Sequence, residues 1–94
     1  MKAVWLLKAA TDRESQILCI AEQNRQAAVD SDDAIEHAAR RLEEHPLIGR
    51  LGRVRGTREP PVAGTKFVLI YRVQADRITI LRLLHGAQRW PEQR

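Results

Sequence analysis

Lys66-Phe67-Val68-Leu69-Ile70-Tyr71-Arg72-Val73-Gln74-Ala75-Asp76-Arg77-Ile78-Thr79-Ile80-Leu81-Arg82-Leu83-Leu84-His85 reads as two short strands joined by a tight turn. The first strand is Phe67 to Val73 and the second Ile78 to Leu84, with Gln74-Ala75-Asp76-Arg77 between them. Both are rich in β-branched and aromatic residues and are bounded by turn residues, the signature of a hairpin. A four-residue loop sets Val73 opposite Ile78, and the pairing alternates outward from there. One face then carries Phe67, Leu69, Tyr71, Val73, Ile78, Ile80 and Leu84, interrupted by Arg82. The other has Val68, Ile70, Leu81 and Leu83 at its centre, with Lys66, His85, Arg72 and Thr79 at its ends. A one-residue slip exchanges the faces. A sheet apolar on both sides needs cover on both, or leaves one face for a partner.

The rest of the chain supplies one cover. Lys2 to Leu7 reads as a first strand, with Trp5 as a core anchor. Thr11-Asp12-Arg13-Glu14 forms a capping box at the start of a helix. Ala10, Ile17, Ile20 and Ala21 recur at helical spacing, with Arg13 on the same stripe, and the helix ends near Gln23-Asn24. A second helix runs from Arg25 to Glu44, with Ala28, Ile35, Ala38, Ala39 and Leu42 inside and Glu36 four residues before Arg40 outside. Its alanine-rich inner face lets the two helices pack closely, and Pro46 ends it. Asp30, Asp32 and Asp33 lack the glycine and terminal glutamate of a calcium loop, so they read as a solvated helix face.

From Pro46 to Gly64 the chain holds four of its five glycines and three of its four prolines, together with Arg50, Arg53, Arg55 and Arg58. A glycine-punctuated loop with four arginines is an electrostatic contact surface. It leads into a short strand around Thr57 to Val62, which Pro60 and Pro61 restrict to a sheet edge or bulge. The glycines match no phosphate-binding fingerprint. The predicted fold is α+β, a helical hairpin on one face of a small, mainly antiparallel sheet in the order β-α-α-β-β-β.

Ninety-four residues make one domain, 1–94, of a size at which a partner often adds stability. With 44% hydrophobic and 30% charged residues the chain is an ordinary globular one. The single cysteine, Cys19, leaves no internal disulfide and no cysteine-based zinc cluster. No cofactor or metal is implied. The apolar run Ala3 to Leu7 is too short for a signal peptide and no segment is fit to span a membrane, so a cytoplasmic protein is expected. The net charge of +4 is unevenly placed: residues 1–49 carry six Lys/Arg against nine Asp/Glu, and residues 50–94 carry ten against three. A basic sheet half favours an anionic partner, nucleic acid or acidic protein.

The runs His45-Pro46-Leu47-Ile48-Gly49-Arg50, Gly52-Arg53-Val54-Arg55-Gly56-Thr57-Arg58-Glu59, Leu69-Ile70-Tyr71-Arg72-Val73 and Ile80-Leu81-Arg82-Leu83-Leu84-His85-Gly86 resemble the RelE/ParE superfamily of bacterial type II toxins. Ile20-Ala21-Glu22-Gln23-Asn24 looks like the end of that family's first helix. The resemblance covers nearly the whole chain in the family's order. It implies a toxin that an antitoxin wraps with a helix and an extended segment and silences, with scope for a higher toxin–antitoxin assembly. RelE-like members cut messenger RNA in the ribosomal A site without metal. ParE-like members poison DNA gyrase and lack the catalytic set.

Ribose-directed cleavage needs a base for the 2′-hydroxyl, cations for the phosphate and an acid for the leaving oxygen. RelE-like relatives carry an arginine three residues before the tyrosine of the Leu-x-Tyr pattern, where this chain has Val68. It also lacks the arginine- and glutamate-rich segment that follows the last strand in those enzymes. The resemblance is therefore closer to ParE, and it implies a gyrase-binding toxin without chemistry of its own. The alternative is a ribosome-dependent endonuclease using His85 and Lys66 with the loop arginines; a third reading is a toxin-fold member without activity. Target contacts are expected at Arg50, Arg53, Arg55, Arg58 and Trp90, the last packing on the sheet edge or meeting the target. The antitoxin is expected to cover Val68, Ile70, Leu81 and Leu83, or the groove beside the helical hairpin. Arg82, on the core face, needs a carboxylate from Glu14 or Glu22.

Overall fold

The computed structural model describes residues 1–86 and 88–91. Strand β1 (Lys2–Trp5) leads into helices α1 (Leu7–Gln23) and α2 (Arg25–Glu44), and strands β2 (Phe67–Gln74) and β3 (Arg77–His85) form the hairpin. The sheet order is β1-β3-β2, with β1 parallel and β2 antiparallel to the central β3. The helical hairpin covers one face. Ile35, Ala39 and Leu42 of α2 and Ala9 of α1 pack there on Leu69, Tyr71, Ile78, Ile80 and Leu83. Each fully buried aliphatic side chain contributes about 1.5–3 kcal/mol.

Asn24 makes the helical turn sharp. Its backbone N–H closes α1 on Ile20 O at 2.9 Å, and its side-chain oxygen accepts from Ala27 N at 3.0 Å to open α2. The expected span of α2 is therefore observed, as is the Glu36–Arg40 pair at 3.3 Å. Helix α1 starts earlier than expected. The Leu6 N–H still bonds Ile80 O at 3.0 Å, so β1 and its ladder run directly into the helix, which begins at Leu7 with no side-chain cap. Thr11 to Glu14 thus lie inside α1 and form no capping box. The buried stripe shifts with it, to Ala9 rather than Ala10. Arg13 is reconciled with that stripe by leaving it: its guanidinium bonds Asp32 at 2.8 Å and Glu36 at 3.1 Å on α2 and stacks 5.0 Å from the Trp5 ring.

The hairpin begins in the expected register, Val73 opposite Ile78, but Gln74 also pairs with Arg77, leaving Ala75-Asp76 as the turn. Pairing then slips between Ile70 and Tyr71: Tyr71 faces Ile80, whereas Ile70 faces Arg82. Leu81 is the extra residue of a bulge, and everything after it is displaced by one. Leu83 enters the main core in place of Leu84, and Leu84 joins Val68 and Ile70 on the second face.

Asp12 holds the bulge. Beyond Ile80 the outer edge of β3 has lost β1, and the Asp12 carboxylate takes its place. It accepts the Leu83 N–H at 3.0 Å and the Arg82 guanidinium at 2.6 and 3.1 Å. Arg82 therefore has its α1 carboxylate, supplied by Asp12 rather than by Glu14 or Glu22, which are exposed. The early start of α1 puts Asp12 in its second turn, over β3. The other edges are closed as well. Glu43 of α2 accepts the Ala3 N–H of β1 at 2.7 Å.

The expected strand at Thr57 to Val62 is reduced to isolated bridges along β2, Arg58 with Tyr71 and Pro61 with Val68. Pro60 and Pro61 bring no N–H, so the ladder cannot run on. The observed order is β-α-α-β-β with a proline-interrupted border on β2. Tyr71 anchors this border from below: wholly buried, its hydroxyl donates to Pro46 O at 2.6 Å and accepts from Gly49 N at 3.3 Å. Gly49 has to be small, since a Cβ there would meet Pro60 at 2.8 Å.

Glu59 shapes the loop above it. Only 3% exposed, it accepts the Arg53 backbone N–H at 2.6 Å and the Arg53 guanidinium at 2.9–3.3 Å. Burial pushes its carboxyl up, but the hydrogen bonds and positive charge of Arg53, with Arg50 beyond, hold it below the usual carboxylate range.

Two predictions follow from these two carboxylates. Asp12→Ala takes its carboxylate from the Arg82 guanidinium and the acceptor from the Leu83 N–H, and lowers unfolding stability by about 1–3 kcal/mol in denaturant titration. Asp12→Asn, which keeps an acceptor for Leu83, falls between alanine and wild type; a loss below about 1 kcal/mol for alanine would contradict the role given to Asp12. Glu59 has a depressed folded pKa, so its stabilisation is complete above the unfolded value of about 4.3 and drains as pH falls below it. Glu59→Gln is expected to be less stable than wild type at neutral pH and to flatten the acid limb of stability against pH, and an unchanged limb would refute the coupling.

Candidate functional site

The loop carrying Arg50, Arg53, Arg55 and Arg58 divides its arginines between two tasks. Arg53 is held by Glu59, and Arg58 donates to Leu47 O at 3.2 Å and Gly49 O at 2.6 Å, so both build the loop. Arg50 and Arg55 are exposed. Gly56, at φ +82°, turns the chain just after Arg55 and lies beside the Arg72 guanidinium. Arg72 is exposed on β2, so it extends the basic surface from the loop onto the sheet. Sequence reading had placed Arg72 at the end of a strand face without assigning it to the site. Its spacing from Val68 and Ile70 carried that signal.

Lys66 and His85, the pair that would serve an endonuclease, are separated by the bulge. The slip sets His85 opposite Phe67 instead of Lys66. Alternation then turns His85 to the helix-bearing side with Phe67, and it is half-buried. Its backbone N–H donates to Gln88 Oε1 at 2.7 Å. Lys66 is exposed, and its backbone carbonyl accepts from Gly86 N at 2.7 Å.

The second face is closed by the end of the chain. Trp90 packs on Val68, Ile70 and Leu84 beside Leu81, with the Arg82 guanidinium 5.9 Å from its ring. Trp90 was expected at the sheet edge or at a target, and it packs instead on the apolar cluster of the second face. Of the four patch residues, Val68 is 9% exposed and Ile70 0%, Leu83 is in the main core, and Leu81 is partly open. Of the closing stretch 85–94, positions 87 and 92–94 lie outside the described residues. Among the described residues no cluster of three or more His, Cys, Asp or Glu is arranged to hold a metal, and no helix is long and apolar enough to cross a membrane. Of the three clustered acids, Asp32 is taken by Arg13 and Asp30 by Gln26 at 3.0 Å.

The arrangement matches known proteins along nearly its whole length. The family model described as "ParE toxin of type II toxin-antitoxin system, parDE" matches residues 3–90. A protein of Sinorhizobium fredii named "Putative toxin Y4kP" is 32% identical over 88 residues, spanning 94% of this chain and 91% of that one. A solved structure titled "Chromosomal ParDE TA system from P. aeruginosa" superposes with a TM-score of 0.83 at 24% identity, covering 90% of this chain and 95% of the other. That structure shares the fold, and the sequence match extends the likeness to the family. The chain belongs to the ParE toxins of type II toxin–antitoxin systems.

Proposed function

We propose that this toxin acts in the cytoplasm by binding DNA gyrase and poisoning it, without chemistry of its own, and that a cognate antitoxin silences it. The observation that supports this reading is the second face of the sheet. RNA cleavage would need cations and acid/base groups converging on one phosphate. Val68 occupies the position where RelE-like relatives have an arginine, and around it are Ile70, Leu84 and the Trp90 ring. A valine in an apolar cluster offers nothing to a phosphorane. The exposed arginines Arg50, Arg55 and Arg72 remain for contact with a target.

The runner-up, a ribosome-dependent endonuclease, draws on the same basic surface with His85 and Lys66. Antitoxin cover of Val68 and Ile70 would require Trp90 to move aside, because it packs on the cluster they form with Leu84.

In cells expressing the toxin, His85→Ala and Lys66→Ala are expected to retain growth inhibition within about twofold, with DNA breaks and an SOS response. Loss of a general acid or base lowers a rate by about 10²–10⁴-fold, so collapse of toxicity with accumulation of cleaved transcripts would favour the endonuclease instead. Wild-type expression that leaves growth unchanged would assign the chain to the inactive members.

A further inference from the structure

The sheet face away from the helices is divided along its length. Its Trp90 end is apolar, and the end nearest the hairpin turn is cationic. Ala3, Tyr71, Val73, Ile78 and Ile80 pack into the main core, so alternation turns Lys2, Arg72, Gln74, Arg77 and Thr79 to the opposite side. The register sets Lys2, Arg77 and Gln74 in one row across β1, β3 and β2, and Val4, Thr79 and Arg72 in the next. With strands about 4.8 Å apart and rows about 6.6 Å apart, the backbones of Lys2 and Arg72 stand about 12 Å from each other. The loop continues this shelf beyond β2. A Cβ on Gly56 would stand 4.0 Å from Arg72 Nε, which puts Arg55 next in line.

Little negative charge offsets these cations. Of the three acids in residues 50–94, Glu59 is bound to Arg53, Asp76 to Arg77 at 3.1 Å, and Glu92 lies outside the described residues. The Asp76 and Arg77 side chains are 76% and 53% exposed, and a pair so open to water holds weakly. Lys2, Arg55 and Arg72 are exposed and form no salt bridge among the described residues. Gln74 adds a neutral donor: its side-chain oxygen accepts from the Thr79 hydroxyl, which leaves the amide NH2 to donate. Cations spread this widely cannot converge on one phosphate group. They suit a chain of phosphates, and duplex DNA carries one charge per about 1.7 Å of its axis.

The aromatic residues decide between single strands and a duplex. Single strands are held by stacking bases on exposed rings. The chain has two Trp, one Tyr and one Phe, and none stands on the shelf: Phe67 and Tyr71 are in the main core, Trp5 packs against it, and Trp90 lies on the apolar cluster. A duplex keeps its bases inside and presents phosphates, which arginine, lysine and amide donors meet without reading sequence. The side-chain oxygens of Gln74, Thr79 and Asp76 are already engaged, so none is set to accept from ribose 2′-hydroxyls. We propose that this shelf binds the phosphate backbone of duplex DNA, with Lys2, Arg55, Arg72 and Arg77 each meeting a phosphate and Gln74 donating a hydrogen bond. Such binding does not depend on gyrase being the target and is measurable without it.

The test is fluorescence anisotropy of a labelled DNA duplex of arbitrary sequence, titrated with the full-length toxin between about 50 and 200 mM salt. For four phosphate contacts, the logarithm of affinity is expected to fall against the logarithm of salt with a slope of about −3 to −4. Arg72→Ala with Arg77→Ala is expected to weaken binding about tenfold or more and to make the slope shallower by about 2. Arg25→Ala with Arg40→Ala removes the same charge from α2, across the sheet from the shelf, and is expected to keep affinity within about twofold of wild type. An equal loss in that second pair would reduce the binding to net charge alone and overturn the shelf. A wild-type toxin that leaves the duplex unbound at about 50 mM salt, or that binds RNA more tightly than the DNA duplex, would overturn it as well.

Discussion

One carboxylate, Asp12, joins the two halves of this molecule. It sits in the second turn of α1 and serves as both counter-ion and edge for the central strand, accepting from the Arg82 guanidinium and from the Leu83 N–H. That strand has to carry an extra residue, Leu81, and a bulge leaves the ladder locally open. Without an acceptor at Leu83, the strand would expose an unpaired donor where β1 has already ended. With it, Leu83 is committed to the core and Leu84 to the opposite face. The burial of the guanidinium costs desolvation that only a well-placed partner offsets. The register of the hairpin, the docking angle of α1 and the composition of both sheet faces therefore depend on the same few atoms.

The elements that were legible in the sequence are those whose signals are local. Helix α2 runs from Arg25 to Glu44 as read, because Asn24 caps its start and Pro46 follows its end. Val73 opposite Ile78 was also legible, since it depends only on the turn. What was not legible depended on partners far along the chain. Nothing in Leu81-Arg82-Leu83 announces a bulge, because its acceptor lies 71 residues away on α1. The capping-box pattern at Thr11 was overridden by the ladder bond from Leu6 to Ile80. The need of Arg82 for a carboxylate on α1 was readable, but choosing Asp12 over Glu14 or Glu22 required the helix start and the bulge together.

The candidate surface was legible to a similar degree. An arginine-rich loop reads from sequence as a contact face, yet two of its four arginines are spent on the loop itself, one on Glu59 and one on backbone carbonyls. Glu59 is the lone acid among them, a hint that one arginine would be internal. The opposite correction applies to the sheet: its second apolar face is covered by the chain's own Trp90. Exposed positive charge thus remains on the loop, at Arg50 and Arg55, and on β2, at Arg72.

The central claim is that this ParE toxin works by binding gyrase, and a supercoiling and cleavage assay with purified gyrase tests it most directly, with the antitoxin-bound toxin as control. The account predicts inhibited supercoiling or trapped cleavage complexes, relieved when the antitoxin is added. Gyrase left fully active at a toxin concentration that stops growth would contradict it and direct attention to the ribosome.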